Sequence, residues 1–289
     1  MHNQLWRSRK TRAPKDAPPE IVFGPTRGWV MPDLSTLWEF RDLLYFLAWR
    51  DVKVRYKQTV IGAAWAILTP VMTMIVFSAI FGSLIGIPSN GVPYPIFVYS
   101  ALLPWTFFAS ALRESGSSLV ANANLISKVY FPRLVLPIAS VLVAMLDFAV
   151  AFVVLVVMML FYRIVPGFGI LLVPLFLLLS LLTALGAGLW LSALEVKYRD
   201  VRHTVPFLTQ FWLFLTPVIY PSSLIPERWR LLYGLNPMVG VVEGFRWSLL
   251  GTAKAPDQMV LVSTVVVLVM FVGGLFFFRR VEREFADVV

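Results

Sequence analysis

The sequence predicts an all-α integral membrane protein with six membrane-spanning helices, and three observations predict it. Of 289 residues, 58% are hydrophobic and only 14% are charged, against about 25% charged in ordinary soluble domains. Apolar blocks approaching or exceeding the roughly 20 residues that a crossing helix needs recur along the chain. The charged residues gather in the interruptions between those blocks, where Lys and Arg concentrate on alternate sides.

Segment 1–33 carries Arg7, Arg9, Lys10, Arg12 and Lys15 among Pro14, Pro18, Pro19, Pro25 and Pro32. Such a composition cannot bury a core and resists helix, so a mobile cytoplasmic tail with weak attraction to anionic lipid is expected. Segment 34–60 turns helical. Leu37, Phe40, Leu44, Leu47 and Ala48 fall on one side at 100° per residue, opposite Glu39, Asp42, Arg50, Lys53 and Lys57. Asp33, Ser35 and Thr36 are available as caps. With Trp38, Tyr45, Phe46, Trp49 and Tyr56 and a basic end, this amphipathic helix is expected in the headgroup region.

The transmembrane region is placed at 61–278. The first span, 61–86, holds Pro70, a kink site, and Gly82 and Gly86, spaced for close helix approach. A short uncharged outer loop leads to the second span, 96–112, with Tyr99, Trp105, Phe107 and Phe108. Between it and the third span, 134–162, lies the polar-rich stretch 113–137. Ser117 and Ser118 can cap a helix there, Asn122 and Asn124 present donors, and Pro132 stops the helix near Phe131. Leu119, Leu125, Ile126, Tyr130 and Phe131 would be out of place in a plain loop, so a short helix on the membrane or docked to a partner is expected.

The third span carries Asp147, an ionisable group deep in an apolar block. A charge there costs several kcal/mol, so the residue is either functional or hydrogen-bonded between helices. The fourth span, 169–194, has Gly186 and Gly188 for close packing, and loop 195–203 contains three basic residues. The fifth, 205–221, carries Phe207, Phe211 and Phe214 on one face. Segment 225–252 is too polar for a span and too apolar for a free loop, which predicts a re-entrant hairpin broken at L-N-P-M, with Glu243 and Arg246 spaced to pair. The sixth span is 260–278, and 279–289 is a basic tail. With both ends inside, twenty of the 25 Lys and Arg residues fall in inner segments, leaving Arg163, Arg228, Arg230, Arg246 and Lys254 outside.

Several chemistries are excluded. There is no cysteine, hence no disulfide or thiolate metal site, and His2 and His203 make no ligand cluster, so no metal is expected. The formal charge of +9 lies beside apolar runs, fitting lipid headgroups and not nucleic acid. No signal-peptide pattern precedes the first sustained apolar run. No G-x-x-x-x-G-K-[ST], H-E-x-x-H or G-x-S-x-G occurs, so no ATP-binding loop or hydrolase motif is present and no catalytic residue is assigned.

The run N-x-x-L-I-x-K-x-x-F-P-R followed by L-P, residues 122–137, resembles the coupling-helix region of type-2 ATP-binding-cassette exporter permeases, particularly the branch exporting O-antigen, capsule or teichoic acid polymers. R-D-V-K-V-R-Y-K-Q-T at 50–59, Y-R-D at 198–200, N-P-M at 236–238 and E-G-F-R-W at 243–247 are similar to the same family, and the resemblance covers the chain from about Leu34 onward. It implies a permease that is not itself an enzyme, working in the bacterial inner membrane as a homodimer with two copies of an ATPase subunit that binds ATP and Mg. It also implies that Asn122, Asn124, Leu125, Ile126, Lys128, Phe131 and Arg133 couple to that subunit. Arg50, Lys53, Arg55 and Lys57 belong to the interface helix beside it. Pressure on the coupling helix would part spans one and five of the two subunits.

A polysaccharide would present C–H faces to aromatic rings, making Trp65, Phe77, Phe81, Tyr99, Trp105 and Phe108, with Asp147, the candidate substrate path, although core packing and interfacial belts use the same residues. Export of drugs or small lipids, a membrane scaffold and a polymer-modifying enzyme are the alternatives.

Overall fold

A computed structural model of the chain describes residues 34–57, 64–198, 200–251 and 257–282. The expected tail at 1–33, residues 58–63 between the interface helix and the first span, and 283–289 of the basic tail lie outside them. The described residues are helical with no strand: α1 (Leu34–Glu39), α2 (Arg41–Lys57), α3 (Ala64–Phe77), α4 (Tyr94–Ala121), α5 (Ala123–Lys128), α6 (Val135–Phe161), α7 (Val173–Lys197), α8 (Val201–Leu215), α9 (Glu227–Tyr233), α10 (Pro237–Leu250) and α11 (Gln258–Val281).

Among the described residues, five helical stretches are long and apolar enough to cross a membrane: Ala64–Leu84, Tyr94–Ala121, Val135–Phe161, Phe168–Lys197 and Gln258–Val281. Their arrangement follows from α4, whose most apolar stretch is 78% buried while that of Ala64–Leu84 is 6% buried. α4 is the central post, packed by α6, α7, α10 and α3, and α11 closes on α7 and α10. Close approach depends on glycine. A Cβ on Gly188 of α7 would collide with Ser115 of α4, and one on Gly186 would come within 2.9 Å of the α11 backbone at Phe271.

The first span ends in a π-helical stretch, Ser78–Leu84. Gly86 does not pack a helix. It sits at φ +74° with open space around it, a turn conformation that side chains avoid, while Gly82 lies under the Tyr94 ring. The second span is much longer than 96–112, running unbroken from Tyr94 to Ala121. Its polar end stays helical because the serine hydroxyls satisfy themselves on the preceding turn: Ser115 donates to the Leu112 carbonyl, Ser117 to Arg113 and Ser118 to Ser115. Ser117 and Ser118 are therefore not caps.

The fifth apolar block does not make a helix over 205–221. α8 begins at Val201 and stops at Leu215. Pro217 supplies no backbone donor and pushes Thr216 into extended backbone, ψ 143°. The carbonyls exposed by that break are taken up by Arg246 of α10, which donates to Pro217 at 2.9 Å and Val218 at 3.2 Å, pairs with Glu243 at 2.8 Å and stacks 3.7 Å from the Phe97 ring centre. Arg246 is fully buried. α9 and α10 meet at Asn236, whose side chain accepts from the Met238 N–H and the Trp212 indole and donates to Thr216 Oγ1.

Candidate functional site

The stretch 113–137 resolves into the end of α4, the single-turn-and-a-half α5, and an irregular run to α6. α5 ends at Lys128, three residues before the limit that Pro132 imposes. Its surface divides sharply. Ile126 and Phe131 point inward, joining Leu47, Leu119, Leu134, Val135, Ala193 and Phe278 in a second apolar cluster. Asn124, Lys128, Val129 and Tyr130 are exposed. Two of the expected coupling residues, Ile126 and Phe131, thus hold α5 onto the bundle, and Leu125 is half-buried against the same cluster.

Asn122 is not an open donor. Its amide donates to the Ser118 carbonyl at 2.9 Å, and its oxygen accepts from Arg50 Nη2 at 2.8 Å. Arg133 is likewise tied to the bundle, its backbone N–H reaching Glu282 Oε1 at 3.3 Å and its guanidinium donating to the Glu282 carbonyl. Bulky Val129 and Tyr130 complete the outward face, although the expected coupling set did not include them.

Helices α1 and α2 bury the face that the periodicity of 34–60 predicts: Leu47 is buried, and Leu37, Phe40, Leu44 and Ala48 pack beside it. Ser35 and Thr36 lie inside α1 and do not precede it. Trp38, Tyr45, Phe46 and Trp49 face outward, with Arg41 and Lys53 each 5.5 Å from the Trp38 and Trp49 ring centres. Its far end turns inward. Arg50 bonds to Asn122, while Arg55 reaches Glu114, eight residues back along α4, so α2 climbs beside α4 and α6. Arg55 is the meeting point of three helices, pairing with Glu114 of α4 and with Asp147 of α6 at 2.6 Å. Tyr56 donates to the other Asp147 oxygen. Its phenol is pushed up to about 12, first by burial and then by that hydrogen bond and the charge of Asp147, so it stays a donor at physiological pH. Lys53 and Lys57 remain exposed.

Above this cluster opens a cavity of about 470 Å³ walled by α2, α3, α4 and α6. Of the expected substrate-path residues, Trp65, Trp105 and Asp147 line it, together with Arg55 and Tyr56. Phe77, Phe81, Tyr99 and Phe108 do not. Tyr99 is buried with its hydroxyl on the Ala151 carbonyl at 3.0 Å. Phe108 packs edge-on to Trp212 at 5.1 Å, and Phe77 and Phe81 pair with each other at 5.7 Å. Sequence reasoning missed Thr106, Ser110 and Arg113, which line the cavity at i, i+4 and i+7 along α4. That polar stripe on one helical face was readable, but it is divided between the end of an apparent span and the start of an apparent loop.

A family model described as ABC-2 type transporter matches residues 42–250. The chain belongs to that family. Its ABC-2 relatives include the O-antigen export system permease protein RfbA of Myxococcus xanthus, 31% identical over 258 residues that cover 88% of this chain and 97% of that protein. RfbA of Klebsiella pneumoniae is 29% identical over 250 residues, covering 86% and 95%, and the polysialic acid transport protein KpsM of Escherichia coli is 25% identical over 243 residues, covering 81% and 91%. As an ABC-2 transporter, the chain is a transport permease and not itself an enzyme.

Proposed function

We propose that the chain is the membrane permease of an exporter that moves a lipid-linked polysaccharide out across the inner membrane. It works as a homodimer with two copies of a separate ATPase subunit, which binds ATP and Mg. The observation that carries this reading is the cavity. The exposed indole of Trp65 in its wall offers a sugar the apolar surface that its C–H faces prefer, and Arg55 at its charged end belongs to α2, the helix whose Arg50 bonds to Asn122 at the α5 junction. The RfbA and KpsM relatives, named for O-antigen export and polysialic acid transport, support the substrate class. The lack of an ATP-binding loop in the sequence supports a separate energy source.

In this reading α8 is a sixth crossing segment completed by protein around it, α9 and α10 form a re-entrant hairpin at the outer face, and both termini are cytoplasmic, as the Lys and Arg distribution favours. Exposed Phe207, Phe211 and Phe214 of α8 and the poorly buried α3 then face the second subunit across the polymer's path. ATP-driven closure of the partner pushes Asn124, Lys128, Val129 and Tyr130, and the movement passes through Asn122 and Arg50 into α2.

The test is to isolate the tagged chain from native membranes in mild detergent. An ATPase subunit should accompany it, and Lys128→Glu combined with Tyr130→Ala should release that subunit. Repeated recovery of the chain alone would refute the exporter reading.

A further inference from the structure

We propose that Arg113 is an anion subsite in the cavity wall that takes a phosphate or diphosphate ester, the group joining a sugar to a lipid anchor. This deepens the exporter reading and rests on it. Four charged side chains line the cavity, and three of them are occupied with one another: Arg55 holds both Glu114 and Asp147. Arg113 has no ion-pair or hydrogen-bond partner for its guanidinium among the described residues, and it is exposed to the cavity. Its planar fork of donors matches phosphate oxygens better than a lysine does.

The surroundings fit the same ligand. Ser110 stands three residues before Arg113 on the same face of α4, and Thr69 lines the wall formed by α3, giving neutral hydroxyl donors for further phosphate oxygens, while the Thr106 hydroxyl is spent on the Leu103 carbonyl at 3.1 Å. Trp65, Pro70, Ala144, Phe148 and Ala151 supply apolar wall beyond them. The volume of about 470 Å³ lies within the roughly 300–1,000 Å³ of pockets that enclose small ligands, leaving space for sugar beside the anion.

Depth agrees. α4 has 28 residues, about 42 Å at the α-helical rise of about 1.5 Å per residue, some 12 Å more than a hydrocarbon core of about 30 Å. Arg113 precedes the end of α4 by eight residues, or about 12 Å; with the start of α4 at the outer edge of the hydrocarbon core, as the proposed orientation has it, Arg113 stands where the headgroup phosphates of the inner leaflet begin. A lipid carrying its polymer from that leaflet presents its phosphate at the same level.

The test uses the full chain in phosphatidylcholine nanodiscs, titrated calorimetrically with farnesyl diphosphate, inorganic pyrophosphate and farnesol against empty discs. Farnesyl diphosphate should bind and farnesol should not. Arg113→Gln should weaken binding by about tenfold or more, Arg113→Lys by less, and Arg228→Gln, a surface change on α9, should leave it unaltered. Tighter binding of farnesyl diphosphate than of pyrophosphate identifies a lipid-borne ligand, and equal binding identifies a free anion, with Arg113 as the subsite in both cases.

Binding of the Gln variant within twofold of the unaltered chain overturns the proposal. So does loss of binding when phosphatidylglycerol replaces part of the disc lipid, which would make Arg113 a contact for bulk headgroups. Should Arg113→Gln fail to fold, phenylglyoxal modification of the unaltered chain decides, because farnesyl diphosphate must slow reaction at Arg113 and an unchanged rate refutes the subsite. These measurements need no ATPase, so they stand or fall separately from co-purification of the partner.

Discussion

Replacing Arg55 should cost more than replacing either of its partners, because one guanidinium serves two carboxylates. Arg55, Glu114 and Asp147 have side-chain exposures of 30%, 24% and 25%, so they are neither freely solvated nor sealed. Hydrogen bonds to charged groups contribute about 1.5–3 kcal/mol each, and water access here favours the lower end. Arg55→Met removes two such bonds and leaves two carboxylates facing one another with no cation between them, for a loss of about 3 kcal/mol. Asp147→Asn should lose only about 1 kcal/mol, since Arg55 keeps Glu114 and the asparagine oxygen can still accept from Tyr56. Combining Arg55→Met, Glu114→Gln and Asp147→Asn should recover most of the Arg55→Met loss, because no unpaired charge remains. Denaturant unfolding of the purified chain, monitored by circular dichroism, measures all three. Equal losses for Arg55→Met and Asp147→Asn, or a triple variant no better than Arg55→Met, would refute the bridging account.

Other outcomes follow from the same geometry. Ile126→Asp should lower thermal stability by placing a charge in the cluster of Leu47, Leu119 and Phe278, whereas Tyr130→Ala, at an exposed position, should lower it less and reduce substrate-stimulated ATP hydrolysis of the assembled transporter. Gly188→Ala should cost about 1–3 kcal/mol through overlap with Ser115, and adding Ser115→Gly should restore part of it, as read by unfolding of the two variants. Arg246→Met should cost about 3–5 kcal/mol by stranding Glu243 and the carbonyls of Pro217 and Val218, again measured by unfolding. Trp65→Ala should reduce polymer export while leaving assembly with the ATPase intact, measured by surface polysaccharide and co-purification.

The apolar blocks made most of the bundle legible, because hydropathy reports directly on which helices are long enough to cross lipid. Where it failed, backbone chemistry overrode composition. Arg113, Glu114 and four nearby residues from Ser115 to Ser118 look like a loop, yet back-bonded serines keep them in α4. Thr216–Pro221 looks like the end of a span, yet Pro217 breaks it. Glu243 and Arg246 were readable as a pair from their i,i+3 spacing, whereas Arg55 and Asp147, 92 residues apart, share no local pattern. Asp147 alone was visible as an anomaly. The coupling stretch was recognisable as a surface element, but only packing distinguishes inward Ile126 from outward Lys128 on so short a helix.

The Arg246 knot also constrains how the chain can be assembled. An arginine near the middle of an inserting helix opposes partitioning by about 2.5–3.5 kcal/mol, and α10 has only Glu243 of its own to offset that. The remaining partners are the Phe97 ring on α4 and the carbonyls of Pro217 and Val218 beyond α8. α10 therefore has no stable resting place until the earlier helices are in position. α9 and α10 thus settle late in assembly, and a ribosome stalled before α11 would hold a chain whose central post is built while the Arg246 knot is still unmade.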